Sequence, residues 1–127
     1  MAIHIELNLR LPNSPGALAD VSQLLAAEHV NVLAMAVEAS GQVRLIVDNH
    51  VRAGSVLRDR HHKVSERHII VASMPNVTGA LARVLRLAAD AGVNIEYAYT
   101  GTADRGGTVA VVLGVDNAAR ASAATGL

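Results

Sequence analysis

Two short stretches carry polar groups arranged to hold a small anion. Asn13-Ser14-Pro15-Gly16-Ala17-Leu18 and Asn76-Val77-Thr78-Gly79-Ala80-Leu81 each set a polar turn and a glycine directly before an apolar-periodic run. A glycine there lets the backbone approach a ligand closely. A helix starting just beyond it offers free N–H groups and the positive end of its dipole, which suits a carboxylate. Asn31 and Asn94 close the two stretches, and each offers an amide donor and acceptor, expected near the same end of the sheet. Plainer readings exist beside these. Glycine serves any tight turn, and asparagine suits a left-handed residue that ends a helix. The two kinds of reading are compatible.

Other chemistry finds little support. His4, His29, His50, His61, His62 and His68 form no helical i, i+4 pair and no carboxylate partnership of metal-binding spacing. His61-His62 adjoins Arg60 and Lys63, which a cation would avoid. The absence of cysteine removes disulfides, thiolate metal sites and thiol nucleophiles. Gly106-Gly107 joins two strand-like runs and precedes no helix, so it reads as a hairpin rather than a phosphate loop. No Ser/His/Asp order, paired inward carboxylates or Walker loop emerges. No catalytic residue, metal or cofactor is therefore expected, although triads are defined by geometry and not by order.

The positioning elements follow from periodicity. Pro75 and Asn94 each lie 63 residues beyond Pro12 and Asn31, so PNSPGALADVSQLLAAEHVNV returns as PNVTGALARVLRLAADAGVNI. Such a repeat marks a recurring supersecondary unit. Before the first copy, Ile3, Ile5, Leu7, Leu9 and Leu11 alternate with His4, Glu6, Asn8 and Arg10, the pattern of a half-buried strand. Ser14 is expected to cap the first helix with Pro15 at its first position, and Thr78 to cap the corresponding helix. Leu18, Val21, Leu24 and Leu25 share one helical face, as do Leu81, Val84, Leu85 and Ala88.

Val32–Ala39 and Gln42–Asp48 read as strands joined at Ser40-Gly41, and His50–Arg60 as a helix with Val51, Val56 and Leu57 inward. A short extended Lys63–Glu66 completes a βαββαβ order. The second copy runs from a strand at Arg67–Met74 through a helix, a strand at Asn94–Thr100, a hairpin at Asp104–Gly107 and a strand at Thr108–Val115. It closes with a weak helix at Ala118–Ala124. The expected fold is α+β, with two tandem ferredoxin-like repeats on antiparallel sheets, 1–66 and 67–127, the second lacking its last strand.

Composition bounds the partners. Of 127 residues 51% are apolar and 17% charged, enough to build a packed core. Phe and Trp are absent, and only Tyr97 and Tyr99 are aromatic. That leaves no stacking platform for bases, and a net charge of zero leaves no electrostatic footprint for nucleic acid. Tyr97 and Tyr99 share a strand face, where packing is the expected role. No run of 18 apolar residues and no signal segment is found, so no membrane partner is expected and the cytoplasm is the default compartment.

The strand, the Asx-x-Pro-Gly-x-Leu turn, the helix and the Asn-Ile that opens the next strand resemble the ACT domain family. It looks especially like the stand-alone tandem members, which carry Pro-Asn-Val-x-Gly-Ala-Leu-Ala and Asn/Phe-Ile-Glu-Tyr in the second repeat, where this chain has Ile95-Glu96-Tyr97. Thr78 departs from the family's proline, and Asn13 and Asn76 from its aspartate. The resemblance implies a regulatory module that binds an amino acid where domains pair. Carried onto matching positions, it places the ligand against Asn13, Ser14, Gly16, Ala17 and Leu18 with Asn31 and Val32. In the second copy it implies Asn76, Val77, Thr78, Gly79, Ala80 and Leu81 with Asn94 and Ile95.

The leading expectation is a non-enzymatic amino-acid sensor that modulates an enzyme of amino-acid metabolism. A ligand-free protein-interaction module and a small enzyme on the same fold are the alternatives, since fold alone does not choose. A homodimer is expected, because the missing strand would leave an open sheet edge and the Thr108–Val115 run adds apolar surface.

Overall fold

In the computed structural model, which describes residues 2–101 and 107–127, strands and helices alternate as the repeat demands. The elements are β1 (Ala2–Arg10), α1 (Ala17–Ala27), β2 (Val32–Val37), β3 (Gln42–Val47), α2 (His50–Asp59) and β4 (Ser65–Pro75). They continue as α3 (Ala80–Asp90), β5 (Ile95–Thr100), β6 (Thr108–Val115) and α4 (Ala118–Thr125). The short extended stretch expected at Lys63–Glu66 and the strand expected at Arg67–Met74 are one strand, β4. Of the Asp104–Gly107 hairpin, residues 104–106 lie outside the described residues.

Two compact units emerge. One is Ile5–Arg67; the other is His68–Leu127 together with Met1–His4. In the first, β3 lies between β2 and β1 and is antiparallel to both, with Leu7 opposite Leu45 and Val37 opposite Val43. Leu7, Leu9 and Leu11 of β1 join Val43, Leu45 and Val47 of β3, and Val21, Leu25 and Leu57 from the helices close that core. Fully burying each such leucine contributes about 2 kcal/mol. The second unit repeats the scheme. β6 lies between β4 and β5, antiparallel to both, and Ile70, Ala72, Val111 and Leu113 pack against Val84, Ala88 and Ala121.

The second repeat has no strand after α4 among the described residues, as expected. Beside β4, however, the sheet continues into β1, whose residues Ala2–His4 belong to this unit. The edge expected to lie open is therefore taken. The Val-rich run is covered too: Val111, Val112, Leu113 and Val115 are all buried. Both premises behind the expected dimer fail. Apolar surface lies elsewhere, at Leu33, Met35 and Val37 of β2, all half-exposed or more.

Other departures are local. Glu6, assigned to the solvent face of β1, is fully buried and accepts a hydrogen bond from Asn8 Nδ2 at 3.0 Å. Val51 and Leu81, expected inward, are exposed. In the same first turns the buried positions are taken by Ala53 and Ala80. Bulges between Val32 and Ala34, and between Ile95 and Tyr97, switch which side chains face the helices, so Tyr97 falls opposite Gly114. Tyr97 and Tyr99 stack at 6.5 Å, the packing role expected of them.

Candidate functional site

The first helix of each repeat begins on a glycine in the left-handed region. Gly16 (φ 87°) and Gly79 (φ 86°) are the N-cap residues of α1 and α3, and no side chain caps either helix. The expected capping by Ser14 and Thr78 is therefore corrected. The left-handed glycine leaves Ser14 two residues and Thr78 one residue outside the N-cap, and main-chain carbonyls, those of Ser14 and Val77, accept from Ala17 N–H and Ala80 N–H at 3.4 and 3.2 Å. Pro15 likewise lies before the helix and not at its first position. With Ala17 N–H and Ala80 N–H engaged by those carbonyls, the N–H groups of Leu18, Ala19, Leu81 and Ala82 are the ones left without an intrahelical acceptor, with the dipole behind them.

A Cβ built on Gly16 or on Gly79 would meet nothing within 4 Å. The space over both helix starts is open, so the glycines answer to backbone conformation and leave room for an approaching group. Beside the first loop, lined by its neighbours and not by Gly16 itself, lies a cleft of about 210 Å³. Asn13, Ser14, Ala17 and Leu18 line one wall, and Val37, Glu38 and Gly41 the other.

Val37, Glu38 and Gly41 were not among the residues singled out in the sequence. The signal for them lay in the hairpin at Ser40-Gly41: antiparallel pairing of β1 with β3 brings that turn beside the end of β1. Leu11 N–H indeed donates to Gly41 O at 2.8 Å. The Arg44 guanidinium, 2.8 Å from Glu38, holds the Glu38 carboxyl below its ordinary range by hydrogen bonding and by charge. A carboxylate thus stands across the cleft from the helix start.

Asn31 and Asn94 are not near their loops. Asn31 exchanges backbone hydrogen bonds with Asp48, donating to its Oδ1 and accepting from its N–H, both at 3.0 Å. Asp48 lies six residues along from Gln42, which pairs with the loop end of β1. At about 3.3 Å per residue the separation is roughly 20 Å. Val32 shares that far end, opposite Val47. The second repeat behaves alike: Ile95 pairs with Val115, whereas Asn76 N–H at the loop donates to Gly107 O at the other end of β6. The expectation that each asparagine stands at the loop end of its sheet is thus overturned. Neither asparagine is the left-handed residue closing the helix; His29 (φ 59°) and Gly92 (φ 71°) are.

Comparison with known proteins settles the family. The sequence pattern described as "ACT domain" matches residues 5–61 and again 68–124. The chain belongs to the ACT domain family. Its tandem ACT repeats are similar in structure to protein BT0572 from Bacteroides thetaiotaomicron, at 33% identity and a TM-score of 0.84, covering 96% of this chain and 85% of that one. The regulatory subunit of aspartate kinase from Thermus thermophilus shares the ACT fold at 23% identity and a TM-score of 0.72, covering 98% of this chain and 90% of that one. The aspartokinase alpha and beta subunits share it at 18% identity and 0.67, covering 97% and 93%. No curated protein matches the chain. Among the described residues no three His, Asp or Glu side chains gather as metal ligands. Nor is any described helix long and apolar enough to cross a membrane.

Proposed function

We propose that this tandem ACT protein is a cytoplasmic, non-catalytic regulatory module that binds an amino acid at the glycine-opened starts of α1 and α3. The observation that carries this reading is the doubled helix start: left-handed glycine, no side-chain cap, and open space outside the Cα. Helix N–H groups receive the carboxylate. In the first repeat Glu38 faces the same cleft and suits the ammonium. Asn31 and Asn94 sit too far along their own sheets to touch that ligand, so in this reading they reach one held by a second copy of the chain.

The partner is an enzyme of amino-acid metabolism. This rests on the family and on likeness to proteins described as aspartate kinase regulatory subunits. The chain self-associates as a dimer through the half-exposed apolar side chains Leu33, Met35 and Val37 of β2. Thermal shift against the twenty amino acids tests the reading, because a ligand bound to the native state raises its melting temperature by mass action. One amino acid raising it by several degrees at millimolar concentration is expected. No shift from any of them would reject amino-acid binding.

A further inference from the structure

A second cleft, of about 330 Å³, lies on the far side of the Pro12–Pro15 loop, between α1 and the turn that follows α2. Its chemistry is distinct from that of the first. Val21 and Leu24 of α1 and Leu11 of β1 give it an apolar floor. Asp20 stands on α1 at its rim, and Arg60 and His62 stand opposite, beyond α2. Among the described residues neither Asp20 nor Arg60 is engaged in an ion pair.

The backbone fixes where these groups stand. Asp20 lies in the first turn of α1, its N–H bonded to Gly16 O at 2.9 Å. Arg60 is the C-cap of α2, and the turn after it is locked twice, by His61 N–H to Arg58 O at 2.9 Å and His62 N–H to Leu57 O at 3.1 Å. His61 takes a left-handed φ of 68° to make that closure. A guanidinium and an imidazole on one rigid turn thus face a carboxylate on a rigid helix start, over aliphatic side chains.

We propose that this cleft is a second small-molecule site, built for an α-amino acid with an aliphatic side chain. Arg60 receives the ligand carboxylate through its planar fork, with His62 adding a donor. Asp20 receives the ammonium, and the floor takes the aliphatic chain. A simple anion would meet Asp20 unfavourably and a simple amine would meet Arg60 unfavourably; only a zwitterion satisfies both rims. Because the Pro12–Pro15 loop walls both clefts, occupancy here bears on the first loop. The site goes beyond the proposed function, which places its ligand at the glycine helix starts.

The test is calorimetric titration of the full chain with L-leucine as probe, beside isocaproate, which lacks the ammonium, and isopentylamine, which lacks the carboxylate. Leucine is expected to bind at least about tenfold tighter than either, the worth of one charge-assisted contact. Arg60→Ala is expected to weaken leucine about tenfold, and Asp20→Asn to bring leucine and isocaproate to similar affinities. Both residues are exposed, so both variants keep the fold. Amide shifts on adding leucine should centre on Asp20, Val21, Arg60 and His62. Leucine affinity unchanged in both variants, or shifts confined to the glycine loops, would overturn this site. No leucine binding at all would overturn it too, whereas an amino acid whose binding is lost in Gly79→Val would leave the loop reading standing.

Discussion

At the start of its first helix each repeat does the same thing; at the end of that helix the two differ. Gly16 and Gly79 both open a helix from the left-handed region. The same pair of closing hydrogen bonds ends α1 and α3, from His29 and Val30 in the first repeat and from Gly92 and Val93 in the second. Yet His29 holds the left-handed position in one and Gly92 in the other. A left-handed φ alone therefore does not require glycine in this fold. At the helix start glycine stands in both copies, at φ 87° and 86°; the open space outside the Cα is shared with Gly92 and does not set the helix starts apart. What separates the two ends is that glycine holds the start in both repeats and the end in only one.

The largest break in the symmetry lies in the sheets. Gly114 sits 68 residues beyond Ile46, and a Cβ on it would collide with the ring of Tyr97. Gly114→Val should therefore destabilise the protein by about 3 kcal/mol through overpacking. Denaturant unfolding checks this, and a Tyr97→Ala background should recover much of the loss. An equal cost in both backgrounds would point to backbone strain instead.

The second helices of the two repeats are expected to respond alike. Asn49 and Asn117 each cap their helix, accepting from Arg52 N–H and Arg120 N–H at 3.1 and 3.0 Å. Alanine at either should cost about 1 kcal/mol. A clearly smaller effect at Asn117 in denaturant unfolding would show that α4 adds little to the cooperative unit.

Swapping the helix ends sharpens the opening contrast. Gly92→His should cost about 1 kcal/mol and His29→Gly should gain somewhat less, since glycine loses more freedom on folding. Thermal melts of both variants decide it; a destabilised His29→Gly protein would assign the histidine a contact of its own.

The smallest effect concerns Glu38, which has no ion-paired counterpart 63 residues on, where Gly101 stands. The hydrogen bond from Arg44, and then its charge, hold the carboxyl below the ordinary glutamate range in the folded protein. The stabilisation is therefore fully present above the unfolded value and fades as pH falls through the folded one. Glu38→Gln should flatten that part of the acid unfolding curve, and a superimposable curve would count against the pair.

What the sequence made legible was whatever repeats or alternates. The 63-residue offset and the period-two and period-3.6 patterns lead to α1–α4 and to the strands, except that the two expected at Lys63–Glu66 and Arg67–Met74 are the single β4. The loops emerged for the same reason. Ser14 and Thr78 have the chemistry of N-caps, but a left-handed glycine moves the helix start past them. Asn31 was placed at the loop end because its motif is local, while its position depends on the direction of β2 across the sheet. Glu38 and the second cleft arise from elements brought together by strand pairing, and no local pattern announces them. The placement of Ala2–His4 with the second unit is equally non-local.

The central claim is that the glycine-opened helix starts hold the ligand carboxylate. Its most direct test is titration of the best thermal-shift amino acid into the wild type, Gly16→Val and Gly79→Val, with melting temperatures alongside. Valine costs roughly 1–3 kcal/mol in backbone strain at either position; Gly79→Ala serves as the milder variant. A folded Gly79→Val protein should bind at least about tenfold more weakly. Gly16→Val should lose less, because Pro15 already removes one donor from the first loop. Unchanged affinity in folded Gly79→Val and Gly16→Val proteins would contradict the claim.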